Sequence, residues 1–274
     1  MTTLAGELRK LPAFVRRDFL VAWSYRLPFV TDWIGLAFQA LMFYFVGLMV
    51  DPSKLPTFGG EPTTYLAFVA VGIAISAFMT LALGRVSVGI QQEQLAGTLE
   101  SLLMTPTSPA TVQLGAVVYD LIYIPIRTAV FLVVIALAFG IDFYASGLFP
   151  ALVVLVVFIP FVWGLGVASA GATLTFRRGS GVVGIAMTVL VLFSGAYYPL
   201  DLLPNWIATL AELNPITIAV DGMREPLLGG TGWDGVGRAV IILLPLAAVS
   251  LALGAVAFRA ALRRERRQGT LGLY

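Results

Sequence analysis

The chain has 274 residues, of which 59% are hydrophobic and 12% are charged, and its formal net charge is +2. Soluble domains carry about 25% charged residues, so this composition excludes an ordinary soluble fold and predicts an integral membrane protein. Cysteine and histidine are absent, which excludes disulfides and removes the commonest metal ligands and acid–base catalyst. We therefore expect no catalytic residue and no metal site in this chain.

The first predicted element, within residues 1–27, is an amphipathic helix that lies in the membrane interface. Apolar residues recur near one of its faces and charged residues occupy the other, a pattern typical of helices that rest on anionic headgroups. The apolar residues are Leu4, Leu8, Leu11, Val15 and Leu20. The helix either anchors the first span or also acts as a lever that contacts a cytoplasmic partner.

Six apolar stretches then follow, each with about the 20 residues that a membrane span requires. Lipid cannot satisfy open backbone groups, so these stretches must be helices. The predicted fold is an all-α integral membrane protein with a single domain over residues 1–274. The predicted spans are 28–50, 65–88, 114–140, 146–175, 180–199 and 238–260.

The basic residues predict the orientation of these spans. Of the 17 Lys and Arg residues, 13 fall on one side of the predicted bundle and three on the other, with Arg127 inside a span. Cytoplasmic segments collect Lys and Arg, so we expect both termini to be cytoplasmic. This arrangement requires an even number of spans, which agrees with six.

Residues 91–104, between the second and third spans, are predicted to form a short cytoplasmic helix. Leu95, Leu99, Leu102 and Leu103 recur at helical spacing, and Pro106 ends the pattern. An amphipathic helix of this kind is typical of a segment that docks into a groove on another protein. The alternative is an ordinary surface turn between two spans.

Polar and aromatic side chains inside the spans are candidates for a translocation path. Asp120 and Arg127 lie seven residues apart in the third span, and a charge at the bilayer centre costs about 2.5–3.5 kcal/mol. They either pair with each other, lie near the interface, or contribute to a substrate path. The other candidates are Gln39, Phe43, Phe193 and Tyr197.

Two motifs resemble those of a known family. The pattern from Glu93 to Pro106 is similar to the cytoplasmic coupling segment of ABC-2-type transporter permeases. Residues 193–199, 203–206, 213–215 and 221–224 resemble the family's region before the last span. This implies short re-entrant helices on the outer side for the segment 200–237. The residues implied for ATPase coupling are Glu93, Gly97, Thr98, Leu99, Glu100, Leu102, Leu103, Thr105 and Pro106, and those for the outer segment are Pro199, Pro204, Asn214, Pro215 and Arg224.

The resemblance implies a permease of a bacterial exporter in the cytoplasmic membrane. Its partners would be two nucleotide-binding ATPase subunits, which hold ATP and Mg, and a second permease that is a copy or a paralogue. The cargo would be an amphiphile such as a drug, a lipid or a lipid-linked glycan. The sequence agrees with an ATPase on separate subunits, because neither of its lysines, Lys10 and Lys54, lies in a P-loop motif.

Two other functions compete with this hypothesis. An ion-coupled secondary transporter requires ionisable residues or broken helices near the midplane, and Asp120 and Arg127 are the available candidates. A membrane-embedded enzyme is disfavoured because the chain has no histidine or cysteine and no matching catalytic motif.

Overall fold

The computed structural model describes residues 11–24, 26–60, 62–95, 109–175 and 179–268. Regular secondary structure in these ranges is helical, without a strand. The α-helices of these ranges are α1 Leu11–Ser24, α2 Arg26–Gly47, α3 Tyr65–Leu95, α4 Pro109–Phe139, α5 Leu148–Thr175, α6 Gly179–Leu192, α7 Asn205–Glu212, α8 Pro215–Gly229 and α9 Val236–Gln268.

Four stretches of the described chain are long and apolar enough to cross a membrane. They are Val30–Gly47, Ile122–Phe139, Ala145–Ala172 and Val236–Arg264, and they coincide with the first, third, fourth and sixth predicted spans. The apolar part of α3, Tyr65–Thr80, is shorter, and α6 has 14 residues. The architecture is therefore helical with several apolar helices, and the second and fifth spans stay predictions.

The observed helices differ most from the predicted bounds at the carboxyl-terminal ends of α3, α6 and α9. Helix α3 continues to Leu95 and α9 to Gln268, whereas the predicted spans end at 88 and 260. Helix α6 ends at Leu192 rather than at residue 199. A turn follows it, because the Ser194 hydroxyl donates to the Val191 carbonyl and accepts from the Ala196 amide, and Gly195 adopts a left-handed φ of 67°.

Helix α3 lies at the centre of the bundle. Every residue from 66 to 76 is buried, and α4, α5 and α8 pack around the helix. Helix α2 instead exposes large apolar side chains such as Phe38 and Phe45. In a bilayer such a surface faces lipid or another apolar helix, so the bundle has a packed interior and an apolar exterior.

Helices α5 and α9 pack closely through small residues. A Cβ atom added at Gly164 would lie 2.4 Å from Ser250, and one added at Gly254 would lie 2.3 Å from the Gly164 carbonyl oxygen. The Ser250 hydroxyl donates to the Phe161 carbonyl at 2.8 Å across this interface. Glycine and serine thus bring the two backbones together, as in many membrane helix pairs.

Helix α1 precedes α2 and packs against α4. Its Val15 is half-buried against that neighbour, whereas Leu20 is exposed. Leu4 and Leu8 of the predicted apolar face lie outside the described residues. The Phe19 and Trp23 rings stack on the exposed side, with centroids 6.1 Å apart, so α1 presents apolar and basic surface to its surroundings.

Candidate functional site

A buried arginine before the last span joins α8, α3 and the turn after α6. We call this group of contacts the junction. Arg224, on α8, is 2% exposed. Its Nε donates to the Phe68 carbonyl of α3 at 3.1 Å. Its Nη1 and Nη2 donate to the carbonyls of Gly195 and Ala196, each at 3.0 Å. One side chain therefore fastens α8 to the central helix and to the turn after α6.

The charge of Arg224 is stabilised by two further contacts. Its Nη1 lies 3.3 Å from the Asp221 Oδ1 atom, and its guanidinium carbon lies 3.5 Å from the centroid of the Phe68 ring, a cation–π geometry. Burial lowers the pKa of Arg224 to about 10, and the Asp221 carboxylate opposes this shift. The guanidinium therefore remains charged at neutral pH.

The turn after α6 touches the backbone of α3. A Cβ atom added at Gly72 would lie 1.9 Å from the Ala196 carbonyl oxygen. Only glycine allows α3 and this turn to approach so closely. The approach places the Gly195 and Ala196 carbonyls within reach of Arg224.

Asn214 and the prolines near it shape the outer segment. The Asn214 side chain accepts from the Ile216 amide at 3.0 Å, which caps α8, and donates to the Leu190 carbonyl of α6 at 2.7 Å. Pro215 occupies the first turn of α8. Pro199 and Pro204 precede the one-turn helix Leu200–Leu202 and α7. The residues predicted for the outer segment thus begin its short helices or fix them to the bundle.

An aromatic cluster adjoins this junction. The Phe43 and Tyr197 rings stack, with centroids 5.2 Å apart and planes 5° apart. The Tyr65 hydroxyl donates to the Tyr197 carbonyl at 2.9 Å. Phe43 and Tyr197, two candidates for the translocation path, therefore meet between α2 and the turn after α6. The other two candidates, Gln39 and Phe193, are half-buried.

Arg127 lies in a separate place, between α4 and α2. It is 6% exposed, its Nη2 lies 3.4 Å from the Asp32 carbonyl oxygen, and its guanidinium carbon lies 5.8 Å from the centroid of the Trp33 ring. The side chain of Asp120 lies outside the described residues. The predicted pairing of Asp120 with Arg127 stays a hypothesis.

The predicted coupling segment adjoins the end of α3. Residues 91–95, including Glu93, continue α3 as its last residues. The other residues predicted for ATPase coupling, from Gly97 to Pro106, lie within 96–108, which is outside the described residues. The segment therefore connects the carboxyl end of the central helix to α4.

Comparison with known protein families decides the classification. The family described as ABC-2 type transporter matches residues 9–228, a range that includes α1, the coupling segment and most of the outer segment. This chain belongs to the ABC-2 type transporter family.

Individual relatives carry transporter names. The chain is 24% identical over 214 residues to ABC transporter G family member 20 of Dictyostelium discoideum, which covers 76% of this chain and 29% of that protein. It is 28% identical over 236 residues to a Porphyra purpurea protein named as transport permease ycf38, with 83% and 76% covered. It is 27% identical over 202 residues to the linearmycin resistance permease protein LnrN of Bacillus subtilis, with 73% and 51% covered.

The chain thus spans less than two thirds of two of these relatives, and 76% of the third. Permease is part of the names of two of these relatives. The combination of this family with several apolar helices makes the chain a multi-pass membrane protein.

Three residues of the junction were missed by the sequence reasoning. Phe68, Gly72 and Tyr65 appear in the sequence as ordinary members of an apolar helix. A glycine within an apolar run is the one available signal, because it can mark a close backbone approach. Nothing in the pattern indicates which backbone it approaches.

Proposed function

We propose that this ABC-2 type transporter is the membrane half of an ATP-driven exporter. It would carry an amphiphile, such as a drug, a lipid or a lipid-linked glycan, outward across the bacterial cytoplasmic membrane through six spans with both termini in the cytoplasm. Separate nucleotide-binding subunits would bind ATP and Mg, and a second permease would complete the path. The match of the family to residues 9–228 carries this proposal.

The course of α3 supports a mechanical link in this transporter. The helix runs without proline from Tyr65 to Leu95, a length of about 46 Å at 1.5 Å per residue. Near its start, Tyr65 contacts the turn after α6 and Phe68 contacts Arg224. Its end leads into the coupling segment. A push on the segment would therefore reach Arg224 through one continuous helix.

The junction of α3, α8 and the turn after α6 is suited to act as the outer gate in this mechanism. Arg224 holds the turn after α6 by two carbonyl hydrogen bonds, and this turn carries Tyr197, which stacks on Phe43 of α2. A shift of α3 would move the Phe68 carbonyl relative to the other two acceptors. We propose that this movement opens the space beside the aromatic cluster to the outside.

Substitution in the coupling segment tests the proposal. In proteoliposomes that contain the permease and its co-purified ATPase, Leu99→Asp should abolish docking and uncouple ATP hydrolysis from transport. The matched control is Leu202→Asp, because Leu202 is 67% exposed and belongs to the segment that this proposal assigns to the opposite side of the membrane. Equal transport by wild type and Leu99→Asp would contradict the proposal.

The same proteoliposomes separate ATP-driven export from ion-coupled transport. Export driven by the ATPase requires ATP and persists when the proton gradient is dissipated. Transport that continues without ATP, collapses with the gradient and is lost in Asp120→Asn would favour an ion-coupled carrier instead.

A further inference from the structure

An open groove runs between the amphipathic helix α1 and the amino-terminal half of α4. Its volume is about 750 Å³, within the size range of sites that hold small-molecule ligands. Val15 and Phe19 line it from α1, and Ile122 and Ile126 line it from α4. Ile122 is 53% exposed and Ile126 is 57% exposed, so the groove lies on the outer surface of the described bundle.

Two aromatic side chains of α4 contribute to one wall of the groove. Tyr119 and Tyr123, one helical turn apart on α4, both line it. Their rings stack, with centroids 5.6 Å apart and planes 8° apart. Apolar surface that faces a bilayer is covered by hydrocarbon, so the apolar lining of this groove is suited to an acyl chain.

A single charged residue stands beside this apolar lining. Arg16 is the charged member of the groove, and it makes no ion pair or hydrogen bond within the part of the chain that the structure describes. The neighbouring Arg17 differs, because its Nε donates to the Asp18 carboxylate at 2.8 Å and its guanidinium lies over the Phe14 ring. Arg16 therefore offers its donors to a ligand.

The combination of an apolar groove and one available guanidinium matches a phospholipid. Arginine binds phosphate through two parallel hydrogen bonds, and basic side chains near the membrane surface attract anionic lipids. We propose that the groove binds a phospholipid with an anionic headgroup, whose acyl chain lies between α1 and α4 and whose phosphate contacts Arg16. The bound lipid would bridge the two helices.

This site requires only that the chain lies in a membrane, so it is independent of whether transport is driven by ATP. A loss of coupling in the Leu99→Asp experiment therefore says nothing about the lipid site. Conversely, failure of the lipid experiment leaves the exporter proposal intact.

Photo-crosslinking of the full chain in nanodiscs tests the site. The probes are phosphatidylglycerol and phosphatidylcholine, each with a diazirine on one acyl chain. Phosphatidylglycerol should label the peptide that contains residues 119–126, and Arg16→Gln should reduce this labelling about fivefold, the effect expected for one basic residue at an anionic surface. Labelling by phosphatidylcholine should be weaker and should fall less in Arg16→Gln, because its choline cation offsets the charge of the phosphate that Arg16 contacts.

Two variants make the result specific. Arg17→Gln removes an equal charge from the same helix without changing the groove lining, so it should alter labelling less than twofold. Ile122→Trp fills the groove and should reduce labelling by both probes, and the unfolding midpoint of each variant in the same nanodiscs checks that it is folded.

Three results would overturn the proposal. Equal reductions of labelling by Arg16→Gln and Arg17→Gln would show a general charge effect. The two probes could label 119–126 equally in the wild type. A photoreactive group at position 122 could capture a peptide, from this chain or from a second copy, instead of lipid, which would show that protein occupies the groove.

Discussion

The Nε atom of Arg224 donates a hydrogen bond of 3.1 Å to the carbonyl oxygen of Phe68, while the ring of the same phenylalanine lies under the guanidinium at 3.5 Å. A single residue of α3 thus supplies both an acceptor and a π face to a buried cation. The other acceptors, Gly195 and Ala196, are outside regular helix, so their carbonyls have no helical partner to replace Arg224. These relationships allow the junction to be tested by substitution.

Arg224→Met should destabilise the folded chain by about 3 kcal/mol. The methionine fills similar space but leaves buried carbonyl acceptors unsatisfied, and each such group costs about 1–3 kcal/mol. The measurement is the free energy of unfolding from a titration with denaturing detergent. Arg259→Met, at an exposed position of α9, is the control and should change the value by less than about 0.5 kcal/mol. Similar losses in the two variants would contradict the role of Arg224.

Gly72→Ala should destabilise the chain by about 1–3 kcal/mol, the usual cost of forcing extra volume into a packed contact. The new methyl group would meet the Ala196 carbonyl oxygen at 1.9 Å, so α3 and the turn after α6 must separate. Gly35→Ala is the matched control, since nothing lies within 4 Å of its Cβ position. It should stabilise α2 by up to about 1 kcal/mol, because alanine favours the helix. A neutral Gly72→Ala would show that the two backbones are not in contact.

The sequence predicted the apolar helices better than it predicted the junction. Spans one, three, four and six follow from long apolar runs, which reflect a local property. The acceptors of Arg224 could not be predicted, because Phe68 is 156 residues away and Gly195 and Ala196 are 29 and 28 residues away. A backbone carbonyl is also the same in every residue, so no side-chain pattern reveals it as a partner.

The outer segment could be predicted from the sequence only in part. Asn214 followed by Pro215 is a local signal for the start of a helix, and α8 does begin there with an Asn214 cap. The end of α6 was misplaced by the apolar run through Phe193, because hydrophobicity continues past Leu192 while Gly195 and Ser194 turn the backbone. Composition alone does not separate a continuing helix from an apolar turn.

Tyr65→Phe should weaken the contact between α3 and the turn that carries Tyr197. The variant loses the 2.9 Å hydrogen bond to the Tyr197 carbonyl, which is worth about 0.5–1.5 kcal/mol net. The unfolding midpoint in detergent should fall accordingly. Tyr44→Phe is the control, because Tyr44 is exposed on α2 and should tolerate the loss of its hydroxyl. An equal shift in both variants would indicate that the Tyr65 hydroxyl does not stabilise the junction.

Glu225 lies on α8, outside the described helices that are long and apolar enough to span a membrane. Its surroundings predict a pH dependence of stability. Burial raises its pKa, the Asp221 and Asp234 carboxylates add to this shift, and Arg238 opposes it. When the pKa of a carboxyl is raised, the folded state disfavours its ionised form. The ionised carboxyl therefore lowers the free energy of unfolding at higher pH, and this loss disappears as the pH falls through the folded pKa. The free energy of unfolding should therefore rise on mild acidification from neutral pH.

Glu225→Gln should remove this part of the pH dependence and should be more stable than the wild type at neutral pH. The glutamine keeps the size of the side chain, which lies against Gly235, and carries no charge to be penalised. Unfolding midpoints across a pH series measure the effect, with Glu212→Gln as the control at an exposed residue of α7. If Glu225→Gln follows the same pH curve as the wild type, other carboxylates govern the acid response, and Asp221, which pairs with Arg224, is the next to test.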